Sequence, residues 1–311
     1  KLVKELETIR DQIRADGSLS SEVTRLFTLK NTMGYSLNSF LDFENPLDIL
    51  THLMVGSEGT LGFLGEITMG LLPVKKVKAT NLLIFESLEV ANDSLMEIIS
   101  QDPAAIELMD RTSLSALDSQ ELLPAEAIAV LGKNSTAVIV EFEAEAQEEL
   151  AEAQKRFEKK FVKNLVFAGV TENSLRNRLW AMRKNLYAIV AKARPEGTTA
   201  LLEDVAVPPE KLTIACKQLS ELCEKHGYGT PVIFGHVRDG NIHFMISDDF
   251  ATKERVKAFE NFTADMVELI LSLGGNLKAE HGTGRAMAPF VEAQFGKELF
   301  EMIKRVKKAF D

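Results

Sequence analysis

Residues 235–243, Gly-His-Val-Arg-Asp-Gly-Asn-Ile-His, restrict the local fold more than any other stretch of the sequence. Asp239-Gly240 is a dipeptide typical of two-residue turns that need a positive φ, and an apolar run lies on each side of it. We therefore predict a β-hairpin whose loop is Asp239-Gly240. In this register His236 pairs with His243, so that the two imidazoles face each other across the hairpin.

The predicted histidine pair has the geometry of a metal chelate. Cβ atoms of directly opposed residues lie about 5 Å apart, so both imidazoles could ligate one cation. The alternative is that these two of the chain's five histidines only form hydrogen bonds with neighbouring groups. The spacing places both rings on one face of the hairpin and favours the metal site.

Length, charge and cysteine content narrow the class of protein. The 311 residues are 45% hydrophobic, enough for one large domain or two ordinary ones. The formal net charge of −10, without a basic stripe that carries aromatic residues, argues against a nucleic-acid-binding protein. Cys216 and Cys223 lie about 10 Å apart on a predicted helix, too far for a disulfide, which indicates a reducing cytoplasm. No apolar run reaches the ~18 residues of a membrane-spanning helix.

The order of predicted elements indicates an α+β fold. From Thr80 onward, short apolar runs that we predict as strands alternate with helically spaced segments, among them a helix at residues 106–117. Because the hairpin strands must be antiparallel, we expect a mixed, largely antiparallel sheet covered by helices. Pro73 and the residues after it mark a boundary between two domains, residues 1–75 and residues 76–311.

A second candidate site lies at Glu280 and His281, within a glycine-rich run. Adjacent side chains of an extended segment point to opposite sides, so the two residues cannot readily ligate the same ion. Glu280 could complete a ligand set with the hairpin histidines and leave positions open for a substrate. His281 would then be free as a general base, because an imidazole titrates near neutral pH. The alternative is a loop at a helix entry, in which Glu280 pairs with Arg285.

Two further features could bind ligands. Arg183 lies beside the only tryptophan on a predicted helix, and its guanidinium fork could bind a substrate carboxylate in bidentate fashion. The alternative is a solvated helix arginine.

A glycine stands at every third position from Gly56 to Gly65. This pattern excludes an ordinary helix and suits a backbone that approaches a ligand closely and then enters a strand. No nucleotide-binding fingerprint is present, so these residues alone leave a metal-dependent hydrolase, a lyase, an oxidoreductase or a non-catalytic metal-stabilised domain open.

Three ordered motifs resemble those of the FAD-linked oxidases of the vanillyl-alcohol-oxidase fold, in the group of D-lactate, glycolate and D-2-hydroxyglutarate dehydrogenases. The motifs are Gly56-Ser57-Glu58-Gly59-Thr60-Leu61-Gly62, Gly235-His236 through Asn241-Ile242-His243, and Glu280-His281-Gly282-Thr283-Gly284-Arg285. The resemblance spans essentially the whole chain. It implies that residues 1–75 are the C-terminal part of a FAD-binding domain and that residues 76–311 are the substrate-binding or cap domain. The sequence of residues 30–35 and 283–290 is most similar to that of the large bacterial members, in which an iron–sulfur module follows the flavoprotein part.

The resemblance also implies roles for individual residues. The ligands of a divalent metal, zinc or manganese, would be His236, His243 and Glu280. Arg183 and Asn241 would contact the substrate, and His281 would be the catalytic base. The backbone that approaches FAD would be that of Gly56, Ser57, Glu58, Gly59, Thr60 and Gly62.

The implied reaction is oxidation of a D-2-hydroxy acid to the 2-oxo acid, with hydride transfer to the flavin. Electrons would pass on to an iron–sulfur module, a quinone or an electron-transfer protein, in the cytoplasm or at the inner face of the membrane. The glycine-rich loop that holds the FAD diphosphate precedes this sequence in the family, so we expect the chain alone to bind FAD weakly or not at all. Leu202 stands where hydroxyglutarate-specific members carry a lysine, and Arg238 stands where we expect a small residue.

Overall fold

The computed structural model describes residues 1–311. They form two compact units, the first made of residues 1–71, 204–207 and 270–311 and the second of residues 72–203 and 208–269. No helix combines the length and the apolar character that a membrane crossing requires. The domain boundary that the sequence indicates between residues 75 and 76 stays a prediction.

Seven strands form one sheet in the order β4-β1-β3-β2-β6-β7-β5. The strands are β1 (Val77–Phe85), β2 (Ala105–Met109), β3 (Thr136–Ala144), β4 (Leu165–Val170), β5 (Thr199–Ala206), β6 (Val232–His236) and β7 (Asn241–Asp248). The pairs β1·β3, β1·β4, β2·β3, β2·β6 and β6·β7 are all antiparallel. The expectation of an α+β fold with a largely antiparallel sheet is confirmed.

The α-helices comprise short connecting turns and several longer helices. They are α1 (Leu2–Ala15), α2 (Gly17–Thr28), α3 (Ser39–Asp42), α4 (Pro46–Met54), α5 (Leu88–Asp93), α6 (Leu95–Ile99), α7 (Arg111–Asp118), α8 (Ala125–Ile128), α9 (Gln147–Phe161), α10 (Asn173–Ala193), α11 (Leu212–Lys225), α12 (Lys253–Ser272), α13 (Gly284–Met287) and α14 (Val291–Phe310). Three short 3-10 turns accompany them, at Pro209–Lys211, Val237–Asp239 and Ala288–Phe290.

In the second unit, α9 and α10 cover opposite faces of the sheet. Successive residues of a strand point to opposite faces, so β3 presents Ile139 to one helix and Phe142 to the other. Ile139 belongs to an apolar cluster with Leu179 and other side chains of α10, whereas Phe142 packs edge-on against Phe157 of α9. Face α10 of the sheet, as we call the side that carries Ile139, also carries the polar residues described below.

The first unit is helical around its apolar core. On α1 the fully buried Leu6, Ile9 and Ile13 recur at intervals of three and four residues, which places them on one face of the helix. Helix α14 is kinked at Gly296, whose φ of 73° and ψ of 166° are not helical. Burial of each of these large aliphatic side chains contributes about 2 kcal/mol to stability.

Three local expectations are wrong. Residues 106–117 are not one helix, because β2 ends at Met109 and α7 begins at Arg111. The glycine-rich run does not enter a strand, since residues 62–76 have neither helix nor strand. The hairpin loop is longer than Asp239-Gly240, because a 3-10 turn at Val237–Asp239 precedes Gly240, whose φ is +67°.

Candidate functional site

The longer loop changes the register of the hairpin. His243 pairs with Phe234, and Ile233 pairs with Phe244. The prediction that His236 lies directly opposite His243 is therefore wrong by two residues. Because side chains alternate with a period of two, a shift of two residues leaves both histidines on the same face.

The two imidazoles are diagonal neighbours on face α10. Their ring centroids lie 5.6 Å apart and the ring planes are nearly perpendicular, at 87°. His243 is 3% exposed, whereas the side chain of His236 is 35% exposed. A buried and a half-exposed imidazole at this separation offer two nitrogen ligands on one side of the sheet.

Gly235 allows the close approach of β6 and β7 beside the histidines. A Cβ atom at this position would lie 2.3 Å from the backbone oxygen of Asn241 and 2.8 Å from Cα of Ile242. Asn241 itself is fully buried at the first position of β7. Arg238, where a small residue was expected, projects outward from the turn and donates a hydrogen bond to the backbone oxygen of Ala104, at 3.1 Å.

A buried carboxylate joins the histidine pair to the candidate substrate arginine. Glu107 of β2 pairs with His236 of β6 across the sheet. Its Oε1 lies 2.5 Å from Nδ1 of His236, and its Oε2 accepts a hydrogen bond from Nε of Arg183, at 2.8 Å. The Glu107 side chain is only 5% exposed. The sequence analysis missed this residue, because the segment that contains it was predicted as part of a helix.

Arg183 is not a solvated helix arginine. Its side chain is 12% exposed, and its Cζ lies 4.7 Å from the centroid of the Phe234 ring. Only Nε donates to Glu107, and the terminal Nη1 and Nη2 form no hydrogen bond. The guanidinium is therefore fixed by a carboxylate and an aromatic face while its terminal donors remain available to a ligand.

Glu141 forms a second polar cluster on face α10. Its Oε2 accepts hydrogen bonds from Arg176, Trp180 and Thr80, at 2.8, 2.8 and 2.7 Å. Burial raises the pKa of the Glu141 carboxyl, but the hydrogen bonds from Arg176, Thr80 and Trp180 outweigh burial and hold the pKa below its ordinary value. Here the anion and the cation satisfy each other, so this cluster resembles a structural ion pair more than a ligand site.

In the first unit, Asp204 organises the Glu280-His281 pair. Asp204 is fully buried, and its Oδ2 accepts hydrogen bonds from the backbone nitrogens of Glu280 and His281, at 2.8 and 2.9 Å. The same oxygen lies 3.6 Å from Nδ1 of His281. Glu280 pairs with Lys30, at 3.1 Å, and not with Arg285 as the alternative interpretation expected. A buried carboxylate that faces an imidazole can orient that imidazole as a base.

The two glycine-rich runs of the first unit meet at Glu58. Its carboxylate accepts a hydrogen bond from the backbone nitrogen of Gly284, at 3.1 Å. Gly282 has a φ of +78°, in the left-handed region that favours glycine, and the Glu58 side chain packs directly against it. Beside this contact lies a cavity of about 540 Å³. Its lining includes Gly56, Ser57, Glu58, Thr60, Arg285 and Lys304.

The candidate site residues thus lie in two groups, one in each unit. His236, His243, Asn241 and Arg183 belong to the second unit, whereas Glu280, His281 and the glycine-rich run belong to the first. The residues that the sequence analysis missed, Glu107 and Asp204, are buried carboxylates within apolar strand sequences. A charged residue in such a run is rarely buried without a partner, and this was the signal that could have identified them.

Comparisons with known proteins concern the family and the fold of the chain. The sequence profile "FAD linked oxidases, C-terminal domain" matches residues 74–311. Glycolate oxidase subunit GlcD of Bacillus subtilis is 28% identical over 84% of this chain and 54% of its own length. The mitochondrial cytochrome-type D-lactate dehydrogenase of Arabidopsis thaliana is 29% identical over 84% of this chain and 45% of its own length. The chain therefore spans about half the length of these relatives.

Among solved structures, 4-ethylphenol oxidase from Gulosibacter chungangensis matches with a TM-score of 0.55 and 13% sequence identity. The match covers 78% of this chain and 53% of that chain, and at this identity it concerns the fold alone. The profile, in contrast, covers most of the sequence. The chain belongs to the FAD linked oxidases and carries their C-terminal domain.

Proposed function

We propose that the protein is a FAD-dependent dehydrogenase that oxidises a D-2-hydroxy acid to the 2-oxo acid. The observation that carries the proposal is the line of contacts from Arg183 through Glu107 to His236, beside His243. These contacts connect the guanidinium of Arg183, which can bind a carboxylate, with the imidazoles of His236 and His243, which can bind a cation. An α-hydroxy acid presents a carboxylate and a hydroxyl on adjacent carbons and needs both kinds of partner. Family membership does not favour the alternative of a metal-dependent hydrolase.

The substrate carboxylate is proposed to bind Arg183. Its Nη1 and Nη2 form no hydrogen bond within the chain, and the Nε contact to Glu107 limits rotation of the guanidinium plane. A bidentate pair with a carboxylate has two parallel N–H donors, which a lysine cannot provide. Asn241 is proposed as a second polar contact of the substrate.

His236, His243 and Glu280 are proposed as ligands of one divalent cation, zinc or manganese. Two imidazoles and one carboxylate suit a catalytic zinc site, and a histidine ligand commonly donates its other ring N–H to a carboxylate, as His236 does to Glu107. The donor set therefore fits the ion. When bound, such a cation would lower the pKa of the substrate hydroxyl.

His281 is proposed to remove the proton of the substrate hydroxyl. Asp204 holds the backbone of this residue through a hydrogen bond to its nitrogen and faces the Nδ1 side of its ring. A carboxylate on that side favours the tautomer in which Nδ1 carries the proton and Nε2 is the basic atom. His281 then accepts the hydroxyl proton at Nε2.

FAD is proposed to lie near the glycine-rich run, with Gly56, Ser57, Glu58, Gly59, Thr60 and Gly62 as contact residues. The cavity beside Glu58 supports this proposal, because Arg285 and Lys304 also line it and would attract an anionic cofactor. When bound, the flavin would accept the hydride from the substrate. Since Glu58 already binds Gly284, its proposed role is to hold the loop against that glycine.

Of the two substrate types, we favour the smaller D-lactate type over D-2-hydroxyglutarate. Leu202, at the position where a lysine was expected for hydroxyglutarate, packs against the apolar cluster that includes Leu179 and Phe234. D-2-hydroxyglutarate has a second carboxylate, and a leucine cannot form an ion pair with it. The electron acceptor is proposed to be an iron–sulfur module, a quinone or an electron-transfer protein, in the cytoplasm or at the inner face of the membrane.

A panel of 2-hydroxy acids tests the proposal. The full-length protein that contains this chain would be assayed with glycolate, D-lactate, D-2-hydroxyglutarate and L-lactate, with a dye acceptor, before and after treatment with a chelator. We expect oxidation of D-lactate, slower oxidation of D-2-hydroxyglutarate, none of L-lactate, and loss of activity with the chelator that zinc or manganese restores. A protein without flavin absorbance, or with no activity on any of these acids, would contradict the proposal.

A further inference from the structure

Glu107 places one buried carboxylate between two functional side chains. Its two oxygens contact different partners, Oε1 at 2.5 Å from His236 Nδ1 and Oε2 at 2.8 Å from Arg183 Nε. Exposure of the Glu107 side chain is only 5%, so water does not compete strongly for either oxygen. The two partners therefore share one rigid anchor.

The fold fixes this anchor from several sides. Glu107 and His236 are paired residues of adjacent antiparallel strands, which sets the distance between their side chains. Arg183 comes from α10 and stacks on Phe234, two residues before His236 on the same strand. Glu107 thus approaches His236 from the neighbouring strand, and Arg183 approaches Glu107 from the helix above.

The hydrogen-bonding capacity of Glu107 indicates which nitrogen of His236 carries a proton. An ionised carboxylate only accepts hydrogen bonds, so His236 must carry a proton at Nδ1 and Arg183 donates from Nε. A neutral His236 with Nδ1 protonated has its lone pair at Nε2, so Nε2 is the nitrogen that could ligate a metal. For a neutral His236, the contact with an ionised Glu107 thus selects the tautomer that is protonated at Nδ1.

We infer that Glu107 is a positioning residue that sets both the tautomer of His236 and the direction of the Arg183 fork. The inference rests on the proposed function, because it gives these two partners the roles of metal ligand and carboxylate receptor. Through its two oxygens, Glu107 makes metal affinity and carboxylate affinity depend on one side chain. Substitution by glutamine tests this, since an amide offers one acceptor oxygen to two donors and must present its NH₂ group to the other.

The chain contains a matched control in the Glu141–Arg176 pair. Both glutamates lie on face α10, and each accepts from an arginine of α10, at 2.8 Å. Their exposures are also alike, 9% for Glu141 and 5% for Glu107. Glu141, however, contacts no histidine. A change seen in E107Q but not in E141Q therefore does not come from the loss of a buried ion pair as such.

The first measurement is nitrogen NMR of histidine side chains in the metal-free chain at about pH 8, where an ordinary imidazole is neutral. The His236 signal is identified by its absence in H236N. We expect Nδ1 to be the protonated nitrogen in the wild type and in E141Q, and the tautomer to shift toward protonation at Nε2 in E107Q. Protonation of wild-type His236 mainly at Nε2 would overturn the inference, even if E107Q fails to fold.

The second measurement is the affinity for Zn²⁺, determined by competition with a chromophoric chelator. We expect E107Q to bind Zn²⁺ about 10–100-fold more weakly than the wild type, as is typical when the carboxylate partner of a histidine ligand is lost. E141Q should bind like the wild type. Circular dichroism and thermal melting would establish that both variants are folded.

The outcomes separate this inference from the proposed function. If the wild type binds Zn²⁺ and E107Q binds it equally well, the inference is wrong and the metal proposal stands. If the wild type binds no Zn²⁺ but His236 has Nδ1 protonated and E107Q changes the tautomer, Glu107 sets the tautomer and the metal proposal fails. If E107Q and E141Q lose Zn²⁺ affinity to the same extent, the loss comes from reduced stability, and the inference is overturned.

Discussion

The indole Nε1 of Trp180 donates a hydrogen bond to Glu141 Oε2, at 2.8 Å. Trp180 is the only tryptophan of the chain, so its fluorescence reports on one carboxylate. The same oxygen binds Arg176 and Thr80, and its hydrogen bonds hold the Glu141 pKa below the ordinary value in spite of burial. This cluster provides an optical measure of electrostatics on the α10 side of the sheet.

The lowered pKa of Glu141 gives a pH prediction with a definite sign. Because the folded pKa is lower than that of the unfolded chain, the ionised carboxylate stabilises the fold above the unfolded pKa of about 4.3, and this contribution is lost as pH falls through the folded pKa. We expect constant Trp180 emission from about pH 8 to pH 5 and a change only below that range. E141Q should lack this transition, and E143Q, which replaces a neighbour paired with Lys78, should retain it. A transition above about pH 5 in the wild type would contradict the account.

Asp110 gives a pH dependence of the opposite sign. It begins α7 by accepting a hydrogen bond from the Ser113 nitrogen, at 2.8 Å, yet burial raises its pKa to about 6. A raised folded pKa means that its stabilising contribution is fully present below the unfolded pKa of about 3.9 and is lost as pH rises through the folded value. Asparagine keeps the cap and carries no charge. D110N should therefore be more stable than the wild type at about pH 7.5, by about 1–3 kcal/mol.

Urea unfolding at about pH 5 and pH 7.5 measures this difference. The advantage of D110N should shrink at the lower pH. The matched control is D16N, which alters the exposed cap of α2 and should change stability by only a few tenths of a kcal/mol, about 0.5 at most. A D110N variant that is less stable than the wild type at the higher pH would refute this prediction.

Gly235 should not tolerate a side chain. Its added Cβ would meet backbone atoms of Asn241 and Ile242 at 2.3 and 2.8 Å, and backbone cannot move aside as a flexible side chain can. We expect G235A to lower the free energy of unfolding by about 3 kcal/mol or more and to weaken Zn²⁺ binding, since the hairpin positions both histidines. G17A, where no atom lies within 4 Å of the added Cβ, should be neutral or stabilising by about 0.4–1 kcal/mol. Identical melting of G235A and wild type would exclude this account of the hairpin.

Asp204 should affect rate more than substrate binding. Asparagine at this position retains one acceptor for the backbone nitrogens of Glu280 and His281 but removes the negative charge that faces His281 Nδ1. In the full-length protein we expect D204N to lower kcat for D-lactate about 100-fold or more, with little change in KM. The control is D248N, which removes an equally buried carboxylate paired with Arg255 and should reduce stability without this loss of kcat. Unchanged kcat in D204N would remove His281 from the role of an oriented base.

The sequence predicts the face of the hairpin better than its register. An Asp-Gly dipeptide favours a two-residue turn, but Val237–Asp239 forms a 3-10 turn that shifts the pairing by two residues. Because side chains along a strand alternate with a period of two, a shift of two residues keeps His236 and His243 on one face. Face is set by apolar alternation that many residues share, whereas register depends on the few residues of the turn.

The partners of the buried carboxylates lie beyond what local patterns can show, although a charge within an apolar run signals that a partner exists. Glu107 follows an apolar run that suits a helix or a strand, and only the pairing of β2 with β6 places it beside His236. Asp204 is separated from Glu280 by 76 residues, so nothing local indicates their hydrogen bond. Motif resemblance identified residues with conspicuous chemistry, such as paired histidines. The residues that position them depend on contacts distant in sequence.

Zn²⁺ and Mn²⁺ titration of the metal-free 311-residue chain tests the central claim most directly. We expect one tightly bound ion per chain, and a large loss of affinity in each of H236A, H243A and E280A. The control is H226A, which removes a histidine bound to Asp265 and should leave affinity unchanged. A wild-type chain that binds neither ion, or an E280A chain that binds as tightly as the wild type, would contradict the proposal that His236, His243 and Glu280 form one metal site.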